Sequence, residues 1–474
     1  MNAHSLRSAA EANCAADAAG AHGGNRTALR RATFVLVVGA LFAGGILAEI
    51  DGFNGPWYWR WPWRDLGFVH VFVTLAPSFL SLAVALWLIE RKTPTPAPAR
   101  IGTVVALLVA TNYALQLLAL LCNPRGFEFL HAIVVSPYAT SYFGDAQAIG
   151  HLGEWLRAFH SARLGMHSAT HPPGPILWYY AWLNALGPSA SPLAGGLAIG
   201  AVAALGVATM AAFARLWTDD VRTRLYAAAL YALMPALIVF LPEFDQVYPI
   251  FTMLAIMAWV KAVAGSPWHA VLLGCTLAAG SFFAYNLLSI GAFFALHAAW
   301  LAWRERFDAS TMRRIALAGF IACATAAAMY VALWSATGFD PLRSVAHAIH
   351  EQNTLLAGLD RPWWAGVIFA PYDFLLGGGL LAGALLLVFA WRLAKRERAE
   401  ALSISLIGLA TIAVIDASGL LRAETARIWL FLQPLVIVPA AVELARLGRV
   451  RVAVLMMQWL IVVVLVCKLV FISA

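Results

Sequence analysis

Charge is scarce in this chain. Only 12% of its 474 residues are Asp, Glu, Lys or Arg, about half the share of an ordinary soluble domain. With a mean hydropathy of +0.77, that scarcity excludes a soluble globule. Cysteine is scarcer still. The five thiols, Cys14, Cys122, Cys275, Cys323 and Cys467, are scattered and form no CxxC pair, which excludes a disulfide framework and a thiolate metal site. No internal repeat is found, which weighs against a transporter built from duplicated halves. The apolar runs are continuous and do not alternate, which excludes an outer-membrane barrel.

What is there is apolar sequence in runs of roughly 17–24 residues, the length that crosses about 30 Å of hydrocarbon. The runs predict an all-α polytopic membrane protein of about thirteen transmembrane helices. The expected spans are 33–49, 67–89, 101–121, 192–214, 225–241, 249–264, 268–285, 287–303, 315–336, 374–391, 401–420, 428–445 and 452–472. Residues 174–187 are apolar but short, and are expected to lie at the interface. Residues 1–32, rich in Ala and Gly at their start, read as a disordered cytoplasmic N-terminus. Arg30 and Arg31 before the first run resemble a signal-anchor that is retained. Asn25-Arg26-Thr27 matches the N-glycosylation pattern but falls on the predicted cytoplasmic side.

The net charge of +8 and pI near 9.4 do not point to nucleic acid, because the basic residues are sorted. With the N-terminus inside, 22 of the 32 Lys and Arg fall in inner segments, as the positive-inside rule requires. Counting 174–187 as a full span would put the basic loops Arg304–Arg314 and Arg392–Arg398 outside. Histidine runs the other way: seven of twelve lie in outer loops, which also hold most of the carboxylates flanking the spans. Titratable chemistry is therefore expected on the outer face. Two outer loops, 122–173 and 337–373, are long enough to suggest function. Ile149, Leu152, Leu156 and Phe159 share one face of a predicted amphipathic helix over 146–163, with Trp155 as an interfacial anchor.

Four clusters could carry chemistry. Asp145, in Tyr142-Phe-Gly-Asp-Ala, reads either as a helix N-cap or as a general base at the membrane boundary. His167 and His171 precede Pro172-Pro173-Gly174-Pro175. Prolines stiffen the backbone there, so His171 is either part of a structural turn or a side chain positioned for reaction. The histidine spacing matches no metal motif, and no metal ligands are assigned. Glu243 and Asp245 flank Phe244 at the outer end of a span; they read as solvated loop charges, as ligands for sugar hydroxyls, or as a site for a cation. Arg422, Glu424 and Arg427 lie at another outer mouth, where arginine forks suit a phosphate. Asp416 lies deeper, inside a predicted span.

In order and topology, these features resemble the GT-C superfamily of membrane glycosyltransferases. The nearest branch is that of protein mannosyltransferases and aminoarabinose transferases. The resemblance rests on Asp145 in a long outer loop, the 146–163 helix, His171-Pro172-Pro173, the acidic pair Glu243 and Asp245, and the Glu-Thr-Ala-Arg-Ile-Trp segment around Glu424 and Arg427. It covers roughly residues 101–440, with two additional spans in 33–100 and a last span in 441–474. The family loop often has two adjacent acids where this chain has Gly144-Asp145, which makes Asp51, beside Trp57, Trp59, Trp61 and Trp63, the rival base.

The resemblance implies inverting transfer of a monosaccharide from a polyprenyl-phosphate donor to a lipid, glycan or protein acceptor. The expected setting is the periplasmic face of a bacterial inner membrane, with membrane lipids as the other partners and no nucleic acid. It implies Asp145 and His171 as catalytic residues. His167, Tyr142, Glu243, Asp245, Arg422, Glu424 and Arg427 would bind substrate, the two arginines on the phosphate. No cofactor is demanded, and a divalent cation is the one addition the carboxylates could accept. The alternative reading is a transporter or flippase of a lipid-linked or anionic solute.

Overall fold

The computed structural model describes residues 27–91, 98–358, 361–395, 402–422 and 424–473. The proposed disordered tail (through residue 26), Cys14, the Asn25 motif, Lys92, Asp360, Arg396 and Arg398 lie outside these residues. Among the described residues there are only helices and turns, apart from one isolated bridge between Trp63 and Leu469. Among the described residues, eight helices are long and apolar enough to cross a membrane, or nine if a bent pair is one span, as in a polytopic membrane protein. The first runs Thr27–Leu47, so helix begins inside the segment expected to be disordered.

The other expected spans correspond to shorter or broken helices. Pro267–Phe283, Ser403–Ser418 and Leu430–Ala445 are apolar but short, and Trp363–Gly378 meets Leu381–Ala394 at 116°. The 225–241 run breaks into Val221–Ala232 and Ala236–Val239. Hydropathy continues through these breaks, so run length overstates helix length. Pro235 lacks an N–H and crowds the preceding turn, and Gly379 takes a left-handed φ of 90° that ends its helix.

Each break frees carbonyls in an apolar interior, where an unpaired one costs several kcal/mol. Buried amides cover them. Asn112 Nδ2 donates to Ala232 O at 2.8 Å. Gln458 Nε2 donates to both Leu233 O and Gly378 O at 3.2 Å, tying the two breaks together. Gln433 Nε2 donates to Phe374 O at 2.6 Å. The added N-terminal spans belong to the same bundle: Phe68–Glu90 packs on Pro98–Leu121 and on Arg451–Lys468, where Trp459 Nε1 donates to Ser78 Oγ at 3.0 Å.

Helix Gly174–Phe213 turns at Gly187, whose φ of 76° is non-helical. The first part doubles back on the second, with Trp178 Nε1 donating to Gly195 O at 3.2 Å. Its 13 residues from Gly174 reach about 20 Å, short of the hydrocarbon thickness. Gly174 itself admits no side chain, because a Cβ there would run into Phe282 O. The HPPGP turn thus presses the helix start onto the next helical layer.

The two long loops expected on the outer face fold into helices. The expected 146–163 helix is in fact Leu152–Ala158 followed by a turn at Phe159–Ser161, because His151 is extended (φ −123°, ψ 113°). Ile149, Leu156 and Phe159 are buried, but Leu152 is 38% exposed, so the four residues expected on one apolar face do not share a buried face. In the other loop, Pro341–Ala357 is an amphipathic helix, capped where Asp340 Oδ1 accepts from Leu342 N and Arg343 N at 3.0 Å.

Candidate functional site

The two long loops and neighbouring helix ends line a half-open cavity of about 410 Å³. One wall comes from Tyr142, His167 and His171, a second from Glu243 and Asp245, and a third from Tyr285 and Asn286. Helix Pro341–Ala357 covers them with Val345, Ala348, Ile349, Gln352, Asn353 and Leu356, and Leu288, Leu420, Leu421, Arg427 and Ile428 add to the lining. Six residues picked from the sequence therefore meet at one cavity: Tyr142, His167, His171, Glu243, Asp245 and Arg427. Its size suits a small ligand.

Arg427 sits among three carboxylates. Its Nη2 lies 2.8 Å from Glu424 Oε2, Nη1 lies 3.4 Å from Glu243 Oε1 and Nε lies 3.9 Å from Asp245 Oδ2. Three acids around one guanidinium leave the cluster negative when all are ionised. Burial pushes the Glu243 carboxyl above the usual range, against the pull of Arg427. Neither Glu243 Oε1 nor Arg427 Nε has a hydrogen bond, and Asn286 Oδ1 also has none.

His171 is fixed from one side. Its Nδ1 is 2.8 Å from His167 O and 3.1 Å from Thr170 Oγ1. A carbonyl can only accept, so the neutral ring carries its proton on Nδ1. That leaves Nε2 with a lone pair and no protein partner among the described residues. Burial lowers the imidazole to about 4, so His171 is neutral at pH 7. The ring meets Tyr142 edge-on, with centroids 5.7 Å apart. His167 Nε2 donates to Tyr138 O at 3.0 Å, and burial lowers its pKa as well.

Asp145 is not in the cavity lining. It is also not an N-cap: the cap of Tyr142–Gln147 is Ser141, at φ 57° with no side-chain cap bond. The Asp145 oxygens instead accept from Gly165 N, at 3.1 and 3.3 Å, pinning the turn that leads to His167. Ser141 Oγ reinforces it, 2.9 Å from Ser168 Oγ and accepting from Ser168 N at 3.1 Å. Gly165 fits because a Cβ would stand 2.5 Å from Ser141 Cβ.

Arg422 also lies outside the lining. Its Nε donates to Gly419 O at 2.7 Å and its Nη1 to Arg361 O at 2.9 Å. Both arginines expected on a phosphate thus have protein partners here. The rival Asp51 is exposed and pairs with Arg60 at 2.8 Å. Asp416 is half-buried. Among the described residues, no group of three or more His, Cys, Asp or Glu is placed to hold a metal ion.

Two contributions were not foreseen. Asn286, Gln352 and Asn353 are ordinary polar residues of helical segments, and packing alone brings them to the cavity. The other is Asp373, which is buried. It accepts from Trp61 Nε1 at 2.7 Å, Ala426 N at 2.9 Å and Thr425 Oγ1 at 3.2 Å. It fixes the backbone just before Arg427 and ties it to the tryptophan-rich first loop. A lone carboxylate within an apolar run was the available signal. The chain matches no protein-family model and no curated protein.

Proposed function

We propose that this chain is an integral membrane glycosyltransferase. It moves a monosaccharide from a polyprenyl-phosphate donor to a lipid, glycan or protein acceptor, with inversion, at the outer face of a bacterial inner membrane. In this reading the N-terminus is inside and the shorter helices complete thirteen crossings. The observation that carries it is the cavity. His171, a neutral imidazole with a free Nε2, and Glu243 and Asn286, each with a buried acceptor that has no hydrogen bond, line one half-open cavity. Unpaired buried acceptors call for donors, and sugar hydroxyls supply them. Leu420, Leu421, Ile428, Leu288, Ile349 and Leu356 give the same cavity the apolar side a prenyl chain needs.

In the transfer, the acceptor oxygen attacks the anomeric carbon, and the bond to the donor phosphate breaks with its electron pair. The acceptor proton passes to His171 Nε2, the role of a general base. Glu243 and Asp245, with Arg427, hold sugar hydroxyls. Asp145 acts through the loop that positions both histidines. Charge develops at an oxocarbenium-like centre, which the negative cluster would stabilise.

The test is transfer of labelled sugar from a polyprenyl-phosphate donor series to membrane acceptors by the full chain in nanodiscs. His171→Gln should lower turnover by about 10²–10⁴-fold, the range for a general base, while donor still binds. Full turnover by His171→Gln would remove it as the base. Donor binding without transfer to any acceptor would remove the enzyme reading.

One observation favours transport instead. Two helix breaks, at Leu233–Pro235 and Gly378–Leu380, lie side by side in the bundle, as in carriers with broken helices. Here Gln458 closes both breaks, whereas the carboxylate and histidine groups gather at the loop-side cavity. Movement of lipid-linked donor across proteoliposomes without transfer would support the carrier.

A further inference from the structure

We infer that Arg64 and Asn123 form a binding site for a phosphate group, in a cleft separate from the candidate cavity. The cleft and the cavity share no lining residue. The cleft is half-open and holds about 40 Å³, roughly three times the smallest space that takes a water. It admits the phosphate group itself and leaves outside whatever that group is attached to.

An extended segment brings Arg64 there. Residues 62–66 pair with the end of the last helix. Arg64 N donates to Lys468 O at 2.9 Å, Leu66 N to Cys467 O at 3.2 Å and Val470 N to Pro62 O at 2.9 Å. Successive side chains of an extended segment point to opposite sides. Asp65 accordingly meets Lys468, with Oδ2 2.9 Å from Nζ, and accepts from Gly67 N at 2.8 Å. Arg64 lines the cleft instead.

Arg64 has no carboxylate partner among the described residues. Its Nη2 donates to Val466 O at 2.8 Å, its Nε is buried without a hydrogen bond, and Nη1 has no protein partner there. A carbonyl takes one N–H and leaves the charge uncompensated. The ionisable groups that act on this charge are the thiols of Cys122 and Cys467, and a thiol is uncharged at neutral pH. No Asp or Glu lines the cleft. Arginine does not give up its proton, so a partly buried one without a counter-ion calls for an anion.

Asn123 supplies a second donor. Its Oδ1 accepts from Arg125 N at 3.0 Å, which leaves Nδ2 for the cleft. Gln116 closes the back. Its Nε2 donates to Asn112 Oδ1 at 2.8 Å and to Gly200 O at 3.2 Å. Its Oε1 is pressed on Gly200, where a Cβ would stand 2.5 Å from it. A phosphate in the cleft takes hydrogen bonds from Nη1 and Asn123 Nδ2, and from Nε after a small side-chain rotation. The guanidinium fork suits its oxygens. Ile133, Ile238, Leu241 and Val466 form an aliphatic wall that lowers the local dielectric and strengthens the pairing. The same oxygens arrive on a lipid head or as free phosphate.

The experiment uses the full-length protein in uncharged detergent and phosphate-free buffer. Inorganic phosphate is titrated by calorimetry. Native mass spectrometry compares phosphatidic acid with diacylglycerol, which differs from it by the phosphate. Wild type should bind inorganic phosphate, or phosphatidic acid in preference to diacylglycerol, or both. Binding of inorganic phosphate alone makes the ligand a soluble anion, and binding of phosphatidic acid alone makes it a lipid head. Arg64→Gln should weaken the binding at least about tenfold, as expected for loss of a hydrogen bond to a charged group. Ala119→Leu fills the cleft and leaves Arg64 in place; it should weaken binding as much, so the test survives an Arg64→Gln chain that fails to fold. Arg125→Gln, at an exposed arginine two residues from Asn123, should change nothing. Three results would overturn the proposal: no binding of either phosphate probe by wild type, unchanged binding in Arg64→Gln or Ala119→Leu, or an equal loss in Arg125→Gln.

Discussion

Arg427 offers the sharpest test of the candidate site. Replacing it with Met keeps the length and removes the charge. Arg427 is 14% exposed, Glu243 5%, Asp245 13% and Glu424 26%. Removing one member of a buried ion pair costs about 3–5 kcal/mol, because the partner charge is left uncompensated. The 3.9 Å contact to Asp245 is long and Glu424 is partly solvated, so the lower end, about 3 kcal/mol, is expected above pH 8, where Glu243, raised to about 8, is ionised. The loss should depend on pH with a definite sign. Burial already raises Glu243, and without Arg427 it rises further. A carboxyl raised in the folded state favours folding below its unfolded pKa and loses that contribution as pH rises through the folded value. The variant should therefore be penalised less at pH 5 than at pH 8. Adding Glu243→Gln should restore part of the stability, since it removes the charge left unpaired. The assay is thermal unfolding of the full chain in detergent, followed by tryptophan fluorescence at both pH values. A single variant as stable as wild type at pH 8, or a double variant no better than the single, would refute the ion cluster as drawn.

Other expectations are more local. Asp145→Asn keeps an acceptor for Gly165 N, so turnover should fall far less than in His171→Gln; a loss as large as that of His171→Gln in the same transfer assay would return the base to Asp145. Gly165→Ala should disturb the same turn more strongly, because its Cβ meets Ser141 Cβ at 2.5 Å, and should lower both melting temperature and turnover. Gln458→Leu leaves Leu233 O and Gly378 O unpaired and should cost about 1–3 kcal/mol per carbonyl in detergent unfolding. His171, lowered to about 4, stays neutral while the unfolded chain takes up a proton below about pH 6.5. Its contribution to stability is lost as pH falls from there towards 4, so His171→Gln should narrow the stability gap between pH 7 and pH 5.

How much was legible follows from how each residue works. His167, His171, Glu243, Asp245 and Arg427 could be read because ionisable groups stand out at the margins of apolar runs. The apolar character of the chain could be read for the same reason. Helix geometry could not. Hydropathy sums side chains and is blind to the φ of Gly379, so the 116° bend reads as an uninterrupted span over 374–391, whereas the shortness of the 174–187 run did set it apart from the span after Gly187. Pro235 and the run Gly377-Gly378-Gly379 were the local warnings. Asp145 was misread for a different reason. Its cap role was argued from its own helix, while its partner, Gly165 N, lies 20 residues on.

Unpaired polar atoms do not by themselves mark a binding site. Gln433 Oε1 and Gln458 Oε1 lack hydrogen bonds just as Glu243 Oε1 and Asn286 Oδ1 do. What separates the two sets is the space in front of them. Gln433 is pressed so closely on Gly378 that a Cβ there would stand 2.8 Å from its oxygen, and Gln458 crowds Gly379 in the same way. No ligand can enter, and the unpaired oxygen is the cost of spending the amide N–H groups on freed carbonyls. Glu243 and Asn286 border a half-open space of about 410 Å³, where a donor can arrive. A donor bound in that space is within a side-chain rotation of both residues, and that is the physical ground for the proposed site being the loop-side cavity and not the helix breaks.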